Sequence, residues 1–259
     1  MIIAFSHSGR QGDQIYSLPA CIEYAKGKPF DFYLHTNRRD DYDPSNRGVM
    51  QTHEEAEFVA SILREQPYIR HLDIGDRECI PAADVNVYID LDRFRDIPAS
   101  LYWGDIRSWY KALLPVKLDH QDKPWFTVPS SDIPASDKLC ICFTERYLPC
   151  MNPGVLKPLA DQLIFVGLPK EHRRFCELYF PVEYHAVSSL KELLQYAAKS
   201  KGWCSNISGN YAAMEAAAIP RILCLPGGSH GDVRPYTPNG YAVVDNHKLI
   251  KLAESLLSR

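Results

Sequence analysis

Short apolar runs alternate with helix-period stripes along the whole chain. Residues 1–5, 30–35, 68–74 and 85–89 read as strands in the first half. In the second half the strand readings are 139–143, 163–166, a strand end at Trp203, 222–225 and 240–244. Between them apolar side chains recur at three- and four-residue spacing. Ile15, Leu18, Ala20, Cys21 and Tyr24 form one such stripe, Ala56, Val59, Ala60 and Leu63 a second, and Leu190, Leu193, Leu194 and Ala197 a third. The stripes predict a helix after the first loop and helices over 54–64 and 189–199. Further helices are predicted over 103–114, 172–179 and 247–257, and residues 185–188 read as a brief extended stretch. Strand and helix alternate through short loops in both halves, which predicts parallel sheets. The fold class expected is therefore α/β, with two Rossmann-like domains facing across a cleft. The Pro- and Ser-rich run 129–137 is the linker candidate, dividing the chain into domains 1–130 and 131–259.

Composition changes this picture little. The 259 residues are 46% apolar and 24% charged, enough to bury a substantial core. A net charge of −3 argues against broad adhesion to nucleic acid or anionic lipid. His7 and Arg10 interrupt the first apolar run before a signal-peptide core or membrane span could form, so no membrane span and a cytoplasmic location are expected. Eight cysteines show no CxxC pair and no zinc-finger spacing, which reads as buried free thiols.

Three places carry candidate chemistry. The loop after the first strand, Ser6-His-Ser-Gly-Arg-Gln-Gly-Asp13, puts Asp13 on the first turn of the following helix, at the edge where parallel sheets bind ligands. A carboxylate there either caps the helix and complements its dipole or acts as a general base. His7 and Arg10 in the same loop read as surface side chains, Arg10 being the better candidate for an anion. Asp90-Leu-Asp92 follows a strand, and paired aspartates in that position can hold a divalent cation. Finally, residues 203–236 read as a strand end, the turn Ser208-Gly209-Asn210, an Ala-rich helix broken at Pro220, a second strand and a glycine-rich exit loop with His230 and Asp232. Ser208 is the expected N-cap, and the turn offers free N–H groups suited to a diphosphate. An ordinary buried strand-helix-strand unit is the alternative reading.

Three ordered motifs resemble those of glycosyltransferase family 9, the bacterial heptosyltransferase group, whose members have the GT-B fold. Gly12-Asp13-Gln-Ile-Tyr-Ser-Leu-Pro19-Ala20 is similar to the family's N-terminal G-D-x5-P-A segment. Residues 163–171, LIFVGLPKE, are similar to its strand followed by G-x-P-x-E. Residues 206–220, NISGNYAAMEAAAIP, align without gaps on its N-D-[ST]-G-x-x-H-x-A-x-A-x-G-x-P block. The family's acid after Asn206 is Ile207 here, and its block histidine is Ala212.

The resemblance implies an inverting, metal-independent glycosyltransferase that moves a sugar from a nucleotide-diphosphate sugar to a hydroxyl acceptor. The acceptor would be a glycan, a lipid-linked sugar, a protein or a modified nucleic-acid base. Asp13 would be the catalytic base, and Glu171 would bind the donor ribose. The turn Ser208-Gly209-Asn210 would cradle the diphosphate, with Gly12, Asn206, Arg146 and Arg234 as further donor-side residues. Residues 1–130 would form the acceptor side and 131–259 the donor side, the terminal helix having the option of returning to the first domain. No cofactor and no metal are expected beyond the nucleotide-sugar co-substrate. The rival readings are a metal-dependent transferase using Asp90 and Asp92, a nucleotide-sugar epimerase or hydrolase on the same fold, and a non-catalytic nucleotide-sugar or carbohydrate-binding protein.

Overall fold

The computed structural model describes residues 1–40, 48–76, 81–97, 106–118, 122–145, 149–226 and 233–259. The chain divides into two compact units, Met1–Gln121 and Asp122–Arg259.

The first unit is built on a four-stranded sheet in the order β3-β2-β1-β4, with every pairing parallel. β1 (Ile3–His7) and β2 (Phe30–His35) are buried along their whole length, as inner strands of a parallel sheet must be when both faces are covered. The edge strands β3 (Ile69–Gly75) and β4 (Val87–Asp90) keep partly exposed side chains. Helix α1 (Gln11–Tyr24) buries Ile15, Leu18, Ala20 and Cys21 of the stripe legible in the sequence, together with Gln14, Tyr16 and Ser17, while Tyr24 at its end is half-buried. Helix α2 (His53–Leu63) starts at a capping box. Thr52 Oγ1 accepts the Glu55 N–H at 3.2 Å and Glu55 accepts the Thr52 N–H at 2.9 Å, which satisfies two of the donors a helix start leaves open. The apolar run before Asp90 continues as a 3₁₀ turn, Leu91–Asp96, and helix α3 (Ile106–Leu113) completes the described part of the unit.

The second unit carries a six-stranded parallel sheet in the order β10-β9-β8-β5-β6-β7. Its strands are β5 (Leu139–Cys142), β6 (Leu163–Val166), β7 (Glu183–His185), β8 (Trp203–Asn206), β9 (Arg221–Cys224) and β10 (Gly240–Val243). Helices α4 (Pro169–Leu178), α5 (Leu190–Ala198), α6 (Gly209–Ala216) and α7 (Asn246–Leu257) connect or follow them. The 3₁₀ segment Pro153–Gln162 leads into β6 and was not foreseen, since 3₁₀ spacing leaves no helical stripe. The terminal helix α7 packs within this unit, on β5, β9, β10 and that segment.

One local feature differs from expectation. The run 129–137 does not hang free as a linker but is tied to the second unit. Gln195 donates to the carbonyls of Pro129 and Ser130, the Ser136 N–H reaches the Lys199 carbonyl, and just upstream the N–H groups of Trp125 and Phe126 share the Ala216 carbonyl. Proline removes donors but leaves carbonyls to be used. Helix α6 ends in a Schellman turn, with Ile219 N–H to Met214 O and Ala218 N–H to Glu215 O. Ala218 takes the left-handed conformation at φ 52° that such a turn requires.

Candidate functional site

Strand order decides where chemistry can gather. In the first sheet the chain runs outward from β1 to β2 and β3, then returns to lay β4 on the other side of β1. In the second it runs from β5 to β6 and β7, then returns to lay β8 beside β5. Each reversal is a topological switch point, where the two chain exits diverge and leave a crevice at the carboxyl edge of the sheet. The two sets of residues singled out in the sequence stand at these two edges.

At the first edge, Ser6 pairs with Asp90 across β1 and β4, so the segments that follow leave side by side. Asp92 reaches over to β1, where its Oδ2 accepts the Ser8 N–H at 3.0 Å and a close hydrogen bond from the Ser8 hydroxyl. Arg95 Nη1 donates to Asp92 Oδ1 at 2.8 Å, and its Nη2 donates to Asp13 Oδ2 at 3.0 Å. Arg38 approaches Asp92 Oδ2 at 3.4 Å. Burial alone would raise the Asp92 pKa, but the hydrogen bonds and charges of His7, Ser8 and Arg95 outweigh it and hold the carboxyl well below the usual range.

His7 is fully buried, not a surface residue, because the strand carries it into the packed end of the sheet. Its Nδ1 lies 2.9 Å from the Gly9 amide nitrogen and 3.3 Å from Asp92 Oδ1, so the ring stands between that N–H and the carboxylate. Nε2 is hydrogen-bonded to the Tyr110 hydroxyl at 2.8 Å, and that hydroxyl donates to the Asp13 carbonyl at 3.0 Å. Arg10 pairs with the buried Asp40.

Asp13 sits in the first turn of α1 but does not cap it. Arg10 is the N-cap residue and makes no side-chain cap, so the carboxylate is directed to Arg95 instead. Gly12 has open space where a Cβ would project, so packing does not require glycine there. The Asp90-Leu-Asp92 pair does not converge on a cation: Asp90 Oδ1 accepts the Asp92 N–H at 3.0 Å, and Asp92 turns back to β1. Among the described residues no group of three or more His, Cys, Asp or Glu side chains is arranged to hold a metal ion.

At the second edge, Ser208 is the N-cap of α6, its Oγ accepting the Tyr211 N–H at 3.1 Å. With that bond made and the Ala212 N–H on the Ser208 carbonyl, the N–H groups of Gly209 and Asn210 are the ones helix geometry leaves without an intrahelical acceptor. Asn210 Nδ2 points to the sulfur of Cys142, 3.5 Å away at the end of β5. Gly167 lies between β6 and α4, where a Cβ would stand 3.0 Å from the same sulfur and 3.4 Å from Glu171 Oε2.

Glu171 is largely buried and accepts the Leu168 N–H at 3.3 Å, half of a capping box, since leucine offers no acceptor in return. Burial, above all, raises its pKa. Asn206 is wholly buried and spends its amide on the Thr144 backbone, which places it as a brace across the β5–β8 switch point. Cys142, Gly167, Glu171, Asn206, Ser208 and Asn210 thus share one edge. Arg146 lies outside the described residues, as do His230 and Asp232.

Arg234 is exposed, its guanidinium 5.6 Å from the Tyr236 ring centre. Its segment is held by a network the sequence reading missed. Buried Arg221 donates to Glu215 Oε2, to the carbonyls of Ile219, Thr237 and Pro238, and to the Thr237 hydroxyl. Glu215 Oε1 accepts the N–H groups of Tyr236 and Thr237. A glutamate inside an Ala-rich buried helix was the available signal, because a buried carboxylate demands a partner. Of the described cysteines, five are buried, Cys150 is exposed and Cys176 is half-buried, and all are free thiols.

No protein-family profile matches the chain. No curated protein sequence matches it either. Solved structures do. A glycosyl transferase family 9 protein from Veillonella parvula superposes with a TM-score of 0.67 at 11% identity, covering 99% of this chain and 97% of that one. An Escherichia coli heptosyltransferase solved with ADP gives 0.66 at 13% identity, covering 99% and 100%. The E. coli ADP-heptose lipopolysaccharide heptosyltransferase II gives 0.65 at 13%, covering 100% and 99%. The chain therefore has the fold of these heptosyltransferases. In the described residues no helix is long and apolar enough to cross a membrane.

Proposed function

We propose that the protein is a glycosyltransferase that moves a sugar from a nucleotide-diphosphate sugar to a hydroxyl acceptor, with inversion and without a metal ion. The observation that carries this reading is that both switch points hold residues of the right kind. The first holds an ionisable carboxylate, Asp13. The second holds a capped helix start with two outward N–H groups, flanked by Glu171.

Inversion needs an acceptor hydroxyl activated on one side of the anomeric carbon and a leaving diphosphate stabilised on the other. Asp13 takes the proton of the acceptor hydroxyl, a role worth roughly 10²–10⁴-fold in rate. The N–H groups of Gly209 and Asn210, with the positive end of the α6 dipole, meet the negative charge that grows on the leaving phosphate. Glu171 binds the ribose hydroxyls. Arg146 and Arg234 are assigned as cationic partners of the leaving phosphates. Asn206 acts through Thr144 by holding the β5 exit in place. Because hydrogen-bond donors meet the leaving charge, no cation is called for.

ADP is the first nucleotide to try, since a solved neighbour carries it. Thermal shift against nucleoside diphosphates and their sugars, followed by transfer assays in EDTA, tests the reading. A raised melting temperature with ADP or a related nucleotide and turnover that survives EDTA support it. Loss of turnover on chelation removes metal independence, and tight binding without turnover across donors and acceptors turns the protein into a binding module.

A further inference from the structure

The Asp-Leu-Asp run at the end of β4 and the nearby Arg95 take no part in the reaction as proposed, yet Asp92 and Arg95 are bonded to each other and to residues on both sides. We infer that Asp92, acting through Arg95, is a positioning device that fixes the Asp13 carboxylate and leaves one of its oxygens for the acceptor hydroxyl. The inference rests on the reading of Asp13 as the base.

Arginine presents its N–H donors in a rigid planar fork, so fixing one side of the guanidinium fixes the other. Here Nη1 is fixed by Asp92 at 2.8 Å and Nη2 delivers the second bond to Asp13 at 3.0 Å. Asp92 is itself held through its other oxygen by the Ser8 backbone and hydroxyl. The guanidinium also lies 4.3 Å from the centre of the Phe94 ring, which stacks on Trp109 and meets Tyr110 edge-on. Arg95 is thus held on three sides, its side chain only 7% exposed, while Asp13 keeps 22% of its side chain open to solvent.

Asp13 is held a second time through its backbone, whose carbonyl accepts the Tyr110 hydroxyl at the end of the chain from Gly9 through His7. Oδ2 is occupied by Arg95. Among the described residues no other group bonds the carboxylate, so Oδ1 is the oxygen that receives the acceptor proton. Gly9 fits the same purpose. A Cβ there would stand 2.6 Å from the His7 ring, 2.7 Å from Arg95 Nη2 and 2.9 Å from Asp13 Oδ2, so a larger residue would push the pair out of place. A lone carboxylate on a first helical turn would sample several rotamers, and misplacement of a reacting group by about 1 Å can cost about 10²-fold in rate.

Arg95→Ala, Arg95→Lys and Asp92→Asn, with Asp13→Asn as reference, test this by two measurements. In steady-state transfer, Arg95→Ala loses about 10²-fold in kcat while the nucleotide dissociation constant stays within about twofold of wild type. Millimolar guanidinium restores part of the Arg95→Ala turnover and none of the Asp13→Asn turnover, a rescue that a merely structural arginine would not show. Lysine keeps the charge but not the fork, so Arg95→Lys falls between.

The second measurement needs no turnover. The guanidinium NMR signals of wild-type Arg95 are resolved by hindered rotation and collapse to averaged signals in Asp92→Asn. Averaged signals in the wild type, or Arg95→Ala turning over within twofold of wild type while Asp13→Asn is dead, overturn the inference. If Asp13→Asn retains full turnover, the reading of Asp13 as base fails and the inference fails with it. If the wild type shows no transfer at all, only the proposed activity is in question, because the NMR arm still decides whether Asp92 fixes Arg95 against Asp13.

Discussion

Asn206 clasps the peptide of Thr144 from both sides, accepting its N–H through Oδ1 and donating to its carbonyl through Nδ2, each at 2.9 Å. Beyond the ends of β5 and β8 the ladder stops, and this amide supplies the next rung with a side chain. Asn206→Ala leaves both Thr144 groups without that partner. A loss of about 1–3 kcal/mol in unfolding free energy, read by urea denaturation, is expected, together with weaker nucleotide binding. Unchanged stability in Asn206→Ala would remove the bracing role.

Asp13→Asn should abolish transfer, by at least about 10²-fold, and leave nucleotide binding nearly intact by calorimetry, because the base and the nucleotide-binding groups are assigned to different sheets. Glu171→Ala should do the reverse to the binding constant. Turnover retained in the first variant, or an unchanged dissociation constant in the second, would contradict the corresponding role.

Asp92 and Glu171 respond to pH with opposite signs. Asp92 titrates lower in the folded chain than in the unfolded one, so its contribution is complete above the unfolded value of about 3.9. It is lost as pH falls through the folded value. Asp92→Asn should therefore flatten the acid limb of the stability curve below about pH 5. Glu171 titrates higher when folded, because burial opposes its charge. Its penalty is absent below the unfolded value of about 4.3 and grows as pH rises through the folded value. Glu171→Gln should melt higher than wild type at pH 7, with the difference vanishing near pH 4. A difference independent of pH would show that the charge is not the cause.

Glu215 and Arg221 form a wholly buried pair. Removing one partner strands the other charge, so Glu215→Gln or Arg221→Met should each cost about 3–5 kcal/mol, whereas replacing both by apolar residues should cost far less than the sum. Additive losses in the double variant would contradict the coupling.

Ala218→Gly should stabilise the protein by about 1 kcal/mol, since the left-handed φ of 52° strains a residue with a Cβ and not glycine. Chemical denaturation reads this directly, and a destabilised variant would mean that the Ala218 methyl packs for more than the strain it causes.

Hydrophobic spacing by itself determined the elements. Residues 30–35 and 163–166 are strands with the ends the apolar runs give them, and the stripe from Leu190 to Ala197 is the buried side of a helix. Ser208 as N-cap and Asp13 on a first helical turn were equally legible, because caps and periods depend on residues within about four positions of one another. Partners were not. Ser8 meets Asp92 from 84 positions away, Arg95 meets Asp13 from 82, and Asn206 meets Thr144 from 62. Those meetings follow from β4 returning beside β1 and β8 beside β5. Strand order turned an apparent cation site into an anchor for an arginine and buried a histidine that reads as exposed. It is a choice among whole-chain packings, in which long-range pairing and shared burial outweigh anything a local window of sequence encodes.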